Sequence, residues 1–241
     1  MEEVISPNLS VIIPVYNEED CIEQVILSWS EMLKNCVGPS FQIVCVNDGS
    51  KDNSLYKLKS LENSVKELVE LDQKNKGHVH AILNGYQQSL NSDWIFQVDS
   101  DDEMKPKHFP QLWKNRDQFD FLVGIRIERQ SPLSRSLITL VSRWTIWLLY
   151  GFGVKDVNCP YRLMRNSFVS KGLKLIPSNT FAPNLLLSGL SSIWKQRIFQ
   201  TEVPYEFRTT GAVSINHFNA FKIAFRSFKE TILFRAKLNK N

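Results

Sequence analysis

The feature that most constrains the fold is an alternation of short apolar runs with segments of helical periodicity over the first hundred residues. The apolar runs are residues 9–15, 41–46, 65–71 and 93–98. The segments between them repeat apolar residues every three or four positions, which predicts helices at 18–35, 52–61 and 77–90. Because strands that alternate with helices pair in parallel, we expect an α/β protein with a mostly parallel central sheet flanked by helices.

The rest of the chain is less regular. The same patterns predict strands at 119–124 and 197–203, and helices at 132–150 and 181–190. A chain of 241 residues with 43% hydrophobic residues is large enough for one core. We therefore expect one main domain over residues 1–214 and a helical C-terminal extension over 215–241.

Polar clusters follow three of the predicted strands. They are Pro14–Glu18, Asn47–Ser50 and Asp99–Glu103. Ligands of open α/β sheets bind beyond the carboxyl ends of the strands, so we expect the three clusters to meet at one edge.

The last of these clusters is the most acidic part of the chain. Unpaired carboxylates are costly to bury, so this segment must meet solvent, a cation or a ligand. Asp99 and Asp101 fall on the same side of an extended chain, and hard oxygen ligands suit Mg2+ or Mn2+ carrying a diphosphate. The alternative is a solvated turn whose aspartates cap the next helix.

Seven short motifs occur in a fixed order between residues 9 and 214. They are Val11–Glu18, Val46–Asp52, Asn75–Gly77, Asp99–Asp101, Gly124–Arg126, Asp156–Leu163, and Glu202–Tyr205 with Gly211. Together they resemble the family-two glycosyltransferases, and within them the polyprenyl-phosphate group that includes dolichyl-phosphate mannose synthase. The resemblance implies a GT-A-type nucleotide-diphospho-sugar transferase fold. It also implies an inverting transfer of sugar from a UDP- or GDP-linked donor to undecaprenyl or dolichyl phosphate.

The resemblance also assigns donor-side residues. The nucleotide-sugar set is Pro14, Tyr16, Glu18, Asp48, Lys76 and Asp99, and the set for Mg2+ or Mn2+ is Asp99, Asp101 and Glu103. Asp48 resembles the aspartate that accepts a hydrogen bond from the base, although it could instead cap the helix that starts near Asp52. Tyr16 could equally be a packing residue. Glu103 stands where relatives have glutamine.

On the acceptor side, the resemblance assigns a phosphate-binding set. It is Arg126, Arg135, Thr139, Arg208 and Ser214, and the catalytic set is Asp101, Asp102, Arg126 and Arg135. Guanidinium forks match phosphate geometry, but each arginine could instead form a surface ion pair. Asp156 and Arg162 could shape the same site. For a hydroxyl acceptor, a base would be needed, and Asp102 or Asp156 would be the candidate.

The sequence departs from the family in several places. Pro160 stands in a motif that commonly reads Gly-Phe-Arg, and Ile215 replaces a common lysine. The membrane hairpins that follow the catalytic domain in many relatives are not found. The Gln-x-x-Arg-Trp motif of processive polysaccharide synthases is absent as well.

The C-terminal tail combines phenylalanines with basic residues. From His217 onwards it has six Lys and Arg against one acid. Its apolar stripe is Phe218, Phe221, Phe225, Phe228 and Ile232, flanked by Lys222, Arg226 and Lys229. Such a stripe predicts a helix that lies on a membrane surface, and the 132–150 helix with Trp144 and Trp147 is a second candidate. The alternative is packing on the protein itself or in a homodimer.

No uncharged apolar stretch of 18 residues is present, since Arg143 interrupts the best one at 137–154. Neither a signal pattern nor a nucleic-acid module is recognised. The four cysteines show no metal-ligand spacing and indicate a reduced, cytosolic chain. We therefore expect a peripheral enzyme on the cytoplasmic face of a membrane. The alternatives are a transferase acting on a glycan hydroxyl and a catalytically inactive nucleotide-sugar-binding protein.

Overall fold

The computed structural model describes residues 7–127, 133–206 and 217–239. Its strands are β1 (Leu9–Val15), β2 (Phe41–Asn47), β3 (Leu68–Asp72), β4 (Trp94–Gln97), β5 (Phe121–Ile127), β6 (Arg162–Arg165) and β7 (Ile198–Pro204). Its helices are α1 (Ile22–Cys36), α2 (Ser54–Leu61), α3 (His78–Gln88), α4 (Phe109–Asn115), α5 (Leu133–Tyr150), α6 (Asn166–Leu173), α7 (Pro183–Ile193) and α8 (His217–Leu238).

The seven strands form one sheet in the order β3-β2-β1-β4-β6-β5-β7. Strands β3, β2, β1 and β4 are mutually parallel, and β7 is parallel to β5. Strand β6 lies antiparallel to both of its neighbours, β4 and β5. The predicted mostly parallel sheet with flanking helices is confirmed.

Sequence patterns did not predict β6, α4 or α6. Strand β6 has only four residues and begins and ends with arginine, so it lacks the apolar run that marks the other strands. Arg162 is nevertheless fully buried. Its guanidinium donates to the backbone carbonyls of Val157, Cys159 and Asn184 at 2.5–3.2 Å, which provides acceptors for a buried cation.

An aromatic cluster holds β4 against the helices on one face of the sheet. Phe96 of β4 packs on Trp29, Phe109 and Tyr161, with ring centroids 4.8–5.3 Å apart. These four rings are buried, and aromatic pairs contribute about 0.5–1.5 kcal/mol beyond their buried area. The cluster fixes the strand that carries the acidic segment.

Helix α8 packs on the main body through α5 and α7. The hydroxyl of Tyr150 donates to the carbonyl of Thr231 at 2.8 Å, and Nε of Arg235 donates to the carbonyl of Leu149 at 2.6 Å. The backbone N–H of Phe181 donates to Glu230 at 2.8 Å. Within the described ranges, no helix is both long enough and apolar enough to span a membrane.

Candidate active site

The loops after β1 and β2 are bonded to one another. The backbone N–H of Asn17 donates to Oγ of Ser50 at 3.0 Å, and its side-chain Oδ1 accepts from the N–H of Lys51 at 2.8 Å. The N–H of Glu18 donates to Oγ of Ser54 at 2.8 Å. The polar clusters predicted to follow the first two strands therefore lie together at one edge of the sheet.

Asp48 is buried, and its carboxylate organises the loop after β3. Its oxygens accept hydrogen bonds from Nε2 of Gln73 at 2.7 Å and from the backbone N–H groups of Lys76 and Gly77 at 2.8 Å each. Gly49 permits this approach, because a Cβ there would lie 2.7 Å from a backbone nitrogen of the same loop, and its φ is +65°. Asp48 does not cap α2, and its contact with a base stays a prediction.

The other donor-side residues surround this point. Pro14 is buried in β1, Tyr16 is partly exposed in the loop that follows, and Glu18 is buried. Oε2 of Glu18 lies 3.4 Å from Sγ of Cys21 at the start of α1. The Lys76 side chain is exposed while its backbone binds Asp48.

Asp99 follows β4 directly after Val98, and one of its carboxylate oxygens has no hydrogen-bond donor among the described residues. Its Oδ1 is buried and accepts no hydrogen bond from the residues that the structure describes. Nε2 of His78, in the first turn of α3, lies 3.7 Å away. Burial raises the pKa of Asp99, the charge of His78 opposes that rise, and the negative charge of Asp101 adds to it.

Glu103 and Asp101 crowd the same loop. Burial raises the pKa of Glu103 to about 8, with further contributions from a hydrogen bond to Asp101 and from the negative charge of Asp101. The hydroxyl of Tyr205 donates to Oε2 of Glu103. Asp99, Asp101 and Glu103 thus bring carboxylate oxygens, the ligand type that hard cations prefer, to one loop.

The donor chemistry of this loop therefore fits Mg2+ or Mn2+, and the observation that favours it is Oδ1 of Asp99, which is buried and accepts no hydrogen bond from the described residues. Across the part of the chain that the structure describes, no group of three His, Cys, Asp or Glu side chains is placed to hold a metal ion. The assignment of Asp99, Asp101 and Glu103 to a cation stays a prediction.

Asp102 is the strained member of the acidic segment. Its φ of 59° lies in the left-handed region, which aspartate tolerates better than most residues. Its carboxylate accepts a hydrogen bond from Nζ of Lys105 at 2.5 Å. This ion pair engages one of the two candidate bases for a hydroxyl acceptor, Asp102 and Asp156.

Arg126, at the end of β5, forms a bidentate pair with Asp156. Nε and Nη2 of the guanidinium lie 2.8 and 2.9 Å from the two carboxylate oxygens, and both side chains are only 10–11% exposed. Burial acts to lower the pKa of Arg126, but the hydrogen bonds and charge of Asp156 outweigh burial and raise it. The pair fixes the guanidinium close enough to Asp99 for the two charges to interact.

The structure does not describe the side chains of the rest of the predicted acceptor set. Arg135 and Thr139 belong to α5, but their side chains lie outside the described part of the structure. Arg208 and Ser214 lie outside the described residues altogether. Their roles stay predictions.

Sequence reasoning missed His78 and Tyr205 beside the acidic loop. Gly77 has a φ of +95° and precedes the first residue of α3, which is His78. The sequence position of His78, directly after the Asn75–Gly77 motif, could therefore have indicated that it lies at this edge of the sheet. Tyr205 is 102 positions from Glu103, and no local pattern connects them.

Comparison with known proteins decides the family. The sequence profile named "Glycosyl transferase family 2" matches residues 10–172, which include Asp48, the acidic loop and the Arg126–Asp156 pair but not Tyr205. The chain belongs to this family. One relative is the undecaprenyl-phosphate 4-deoxy-4-formamido-L-arabinose transferase of Pectobacterium atrosepticum, 31% identical over 183 residues. The match covers 74% of this chain and 55% of the relative, so this family 2 chain spans about half the length of that relative.

Solved structures share the fold of this family 2 protein. The glucosyl-3-phosphoglycerate synthase of Mycobacterium tuberculosis, in complex with Mn2+ and UDP-glucose, has a TM-score of 0.64 and 16% identity. That match covers 95% of this chain and 79% of that one. The mannosyltransferase PcManGT of Pyrobaculum calidifontis, in complex with GDP-Man and Mn2+, has a TM-score of 0.59 and 14% identity, with coverage of 99% and 66%. The predicted GT-A fold is confirmed.

Proposed function

We propose that this chain is an inverting glycosyltransferase that moves a sugar from a nucleotide-diphosphate sugar to a polyprenyl phosphate. The observation that carries the proposal is the meeting, at one sheet edge, of the Asp48-anchored loops, the Asp99 oxygen that accepts no hydrogen bond from the described residues, and the fixed guanidinium of Arg126. Family membership and the names of the relatives support the reaction class and the lipid acceptor.

The donor occupies the edge formed by the loops after β1, β2 and β3. Pro14, Tyr16, Glu18, Asp48 and Lys76 border the nucleotide in this proposal. Both a UDP-sugar and a GDP-sugar complex occur among the structural neighbours, so the nucleotide itself is a matter for experiment.

The acidic loop holds Mg2+ or Mn2+ through Asp99, Asp101 and Glu103. When bound, the cation neutralises charge on the leaving nucleoside diphosphate. Neighbours that were solved with Mn2+ support this assignment.

In this proposal the acceptor phosphate binds Arg126, Arg135 and Arg208. Asp156 engages Nε and Nη2 of Arg126 and so orients the guanidinium, while Nη1 is not part of that pair. Arg135, Thr139, Arg208 and Ser214 are proposed to complete this side. A phosphate is already anionic at neutral pH, so an in-line displacement at the anomeric carbon needs little general-base help.

A transfer assay tests the proposal. The full chain is incubated with radiolabelled UDP- and GDP-sugars, Mg2+ or Mn2+, and undecaprenyl phosphate in detergent. A metal-dependent, lipid-extractable product that Asp101→Ala abolishes is expected. Asp117→Ala is the matched control, because Asp117 is an exposed aspartate at the end of α4, and this variant should keep full activity.

The outcomes separate the alternatives. Donor hydrolysis without lipid product would overturn the acceptor assignment and favour a glycan hydroxyl. No turnover and no binding of UDP or GDP would overturn the enzyme assignment and leave an inactive binding protein.

We further propose that α5 and α8 form a surface that lies on an anionic membrane from the cytoplasmic side. We call the following residues the α5/α8 surface: Trp144, Leu148, Phe152, Phe225 and Leu233, which are all at least 58% exposed. Exposed Arg226, Lys229 and Lys237 flank it, which suits anionic headgroups.

Vesicle co-sedimentation tests this surface. The full chain should pellet with phosphatidylglycerol vesicles and much less with phosphatidylcholine vesicles. Replacing Leu148 and Phe152 by glutamine should weaken binding several-fold, whereas Tyr56→Gln, an exposed aromatic on α2, should not. A stable dimer in sedimentation velocity that the double variant dissociates, without vesicle binding by the wild type, would overturn the membrane assignment in favour of a second copy.

A further inference from the structure

Tyr205 connects the end of β7 to the acidic loop after β4. Its hydroxyl donates a hydrogen bond to Oε2 of Glu103. We propose that Tyr205 is a positioning residue: it fixes the conformation of Glu103 and thereby sets how tightly the acidic loop holds Mn2+ or Mg2+. This inference rests on the proposed function, because it takes Glu103 as a ligand of the cation.

The main chain holds Tyr205 in place independently of its hydroxyl. The N–H of Tyr205 donates to the carbonyl of Ile127 at 3.1 Å, and the N–H of Glu206 donates to the carbonyl of Glu103 at 2.9 Å. Removing the hydroxyl therefore leaves the aromatic ring beside the acidic loop, so the variant tests one hydrogen bond rather than a displaced strand.

Side chains join the same two segments a second time. The carboxylate of Glu206 accepts a hydrogen bond from Nζ of Lys107 at 2.8 Å, and Nζ of Lys105 lies 3.9 Å from it. Lys105 in turn pairs with Asp102. The end of β7 is thus bonded to the acidic loop at several points, and among these contacts the Tyr205 hydroxyl binds the side-chain carboxylate of a predicted metal ligand.

Of the three predicted metal ligands, Glu103 has the most flexible side chain and so gains most from a hydrogen bond that fixes it. A glutamate has one more side-chain torsion than an aspartate and loses more rotamer freedom when it is held in one geometry. Tyr205 engages Oε2 of Glu103, and the backbone N–H of Glu103 donates to Oδ1 of Asp101 at 3.2 Å. Partners that orient a ligating side chain typically change metal affinity 10–100-fold when they are removed.

The test measures Mn2+ binding by the full chain, using electron paramagnetic resonance of free Mn2+ with UDP and, separately, GDP. Tyr205→Phe should weaken Mn2+ binding roughly tenfold or more. Tyr150→Phe is the matched control, because its hydroxyl also donates one buried hydrogen bond, to Thr231 in α8, and it should leave Mn2+ binding unchanged. Equal Mn2+ affinity in Tyr205→Phe and wild type would overturn the inference.

A double-mutant cycle separates positioning from a general structural effect. If Tyr205 acts through Glu103, then Tyr205→Phe should change Mn2+ affinity less than about twofold in a Glu103→Ala background. The same loss in both backgrounds would overturn the inference. Should Tyr205→Phe fail to fold, Glu103→Gln and Glu103→Leu replace it. Glutamine keeps an oxygen for Tyr205 and should bind Mn2+ at least several-fold more tightly than leucine, and equal affinities would overturn the inference.

The readout distinguishes this inference from the function on which it rests. Wild-type protein that binds Mn2+ with UDP or GDP but transfers no sugar to undecaprenyl phosphate overturns the proposed acceptor, while the Tyr205 test still decides. Wild-type protein that binds no Mn2+ with either nucleotide overturns the cation site and this inference together.

Discussion

Replacing Asp48 by asparagine separates two roles of its carboxylate. If Asp48 only contacts the nucleotide base, then Asp48→Asn should reduce nucleotide affinity and leave stability almost unchanged. If Asp48 organises the loop after β3, the same change should lower both the nucleotide affinity and the stability of the protein. We expect both to fall, because Gln73, Lys76 and Gly77 all donate to this carboxylate.

The size of the effect follows from the hydrogen bonds. An asparagine places an NH2 group where one carboxylate oxygen was, so at least one backbone N–H of the 76–77 segment faces a donor. Leaving a buried donor unsatisfied costs about 1–3 kcal/mol. With a urea m-value of about 2 kcal/mol/M, the unfolding midpoint should fall by roughly 0.5–1.5 M. Asp48→Ala leaves the backbone N–H groups of both Lys76 and Gly77 without an acceptor, so its unfolding midpoint should fall further.

Urea unfolding followed by fluorescence, together with UDP and GDP titrations, measures both quantities. Asp72→Asn is the matched control, since Asp72 is exposed and accepts one side-chain hydrogen bond, from Asn47 at 2.7 Å. An Asp48→Asn variant that loses nucleotide affinity while its midpoint matches that of Asp72→Asn would refute the loop-organising role.

Three further changes have defined outcomes. Asp156→Ala should destabilise the protein by about 3 kcal/mol in urea unfolding, because it strands the nearly buried Arg126 cation. Hydrogen bonds from arginine, opposed by burial, lower the pKa of Asp120 from 3.8 to about 2, so its stabilisation is fully present above pH 4 and is lost as the pH falls toward 2. Asp120→Asn should flatten that part of the stability curve. Gly85→Ala should cost about 1–3 kcal/mol, because its Cβ would lie 2.4 Å from Cγ2 of Ile12, and in thermal melts it should cost less in an Ile12→Ala background than in the wild type.

Each change has a contradicting result. An Asp156→Ala protein as stable as the wild type would show that the Arg126 charge is solvated elsewhere. An unchanged acid limb in Asp120→Asn would assign acid sensitivity to other carboxylates. Gly85→Ala without loss of stability would mean that β1 and α3 separate easily.

The fold of the first hundred residues was predicted well because its signals are local. Strands β1, β2 and β4 are apolar runs, and parallel topology alone places the segments after them at one edge. Strand β6 escaped prediction because Arg162 is buried by donating to backbone carbonyls and Arg165 pairs with Asp120, contacts that no periodicity records.

The contacts of the predicted site residues were not foreseen from the sequence. Asp48 was expected to face a base or cap a helix, yet its partners come from a loop 25–29 positions later. Arg126 was expected to face a phosphate, and its pairing with Asp156 spans 30 positions. Such contacts depend on how loops return to one another in three dimensions, and spacing along the chain does not encode that.

The bonds that join the first three strand-end loops also bear on kinetics. Because Asn17, Ser50 and Asp48 already hold these loops together, a nucleotide meets a surface with little left to order. Ligands that bind rigid sites avoid the entropic cost of immobilising a loop. Nucleotide association should then depend on diffusion more than on loop closure, and affinity differences between nucleotides should arise in their dissociation rates.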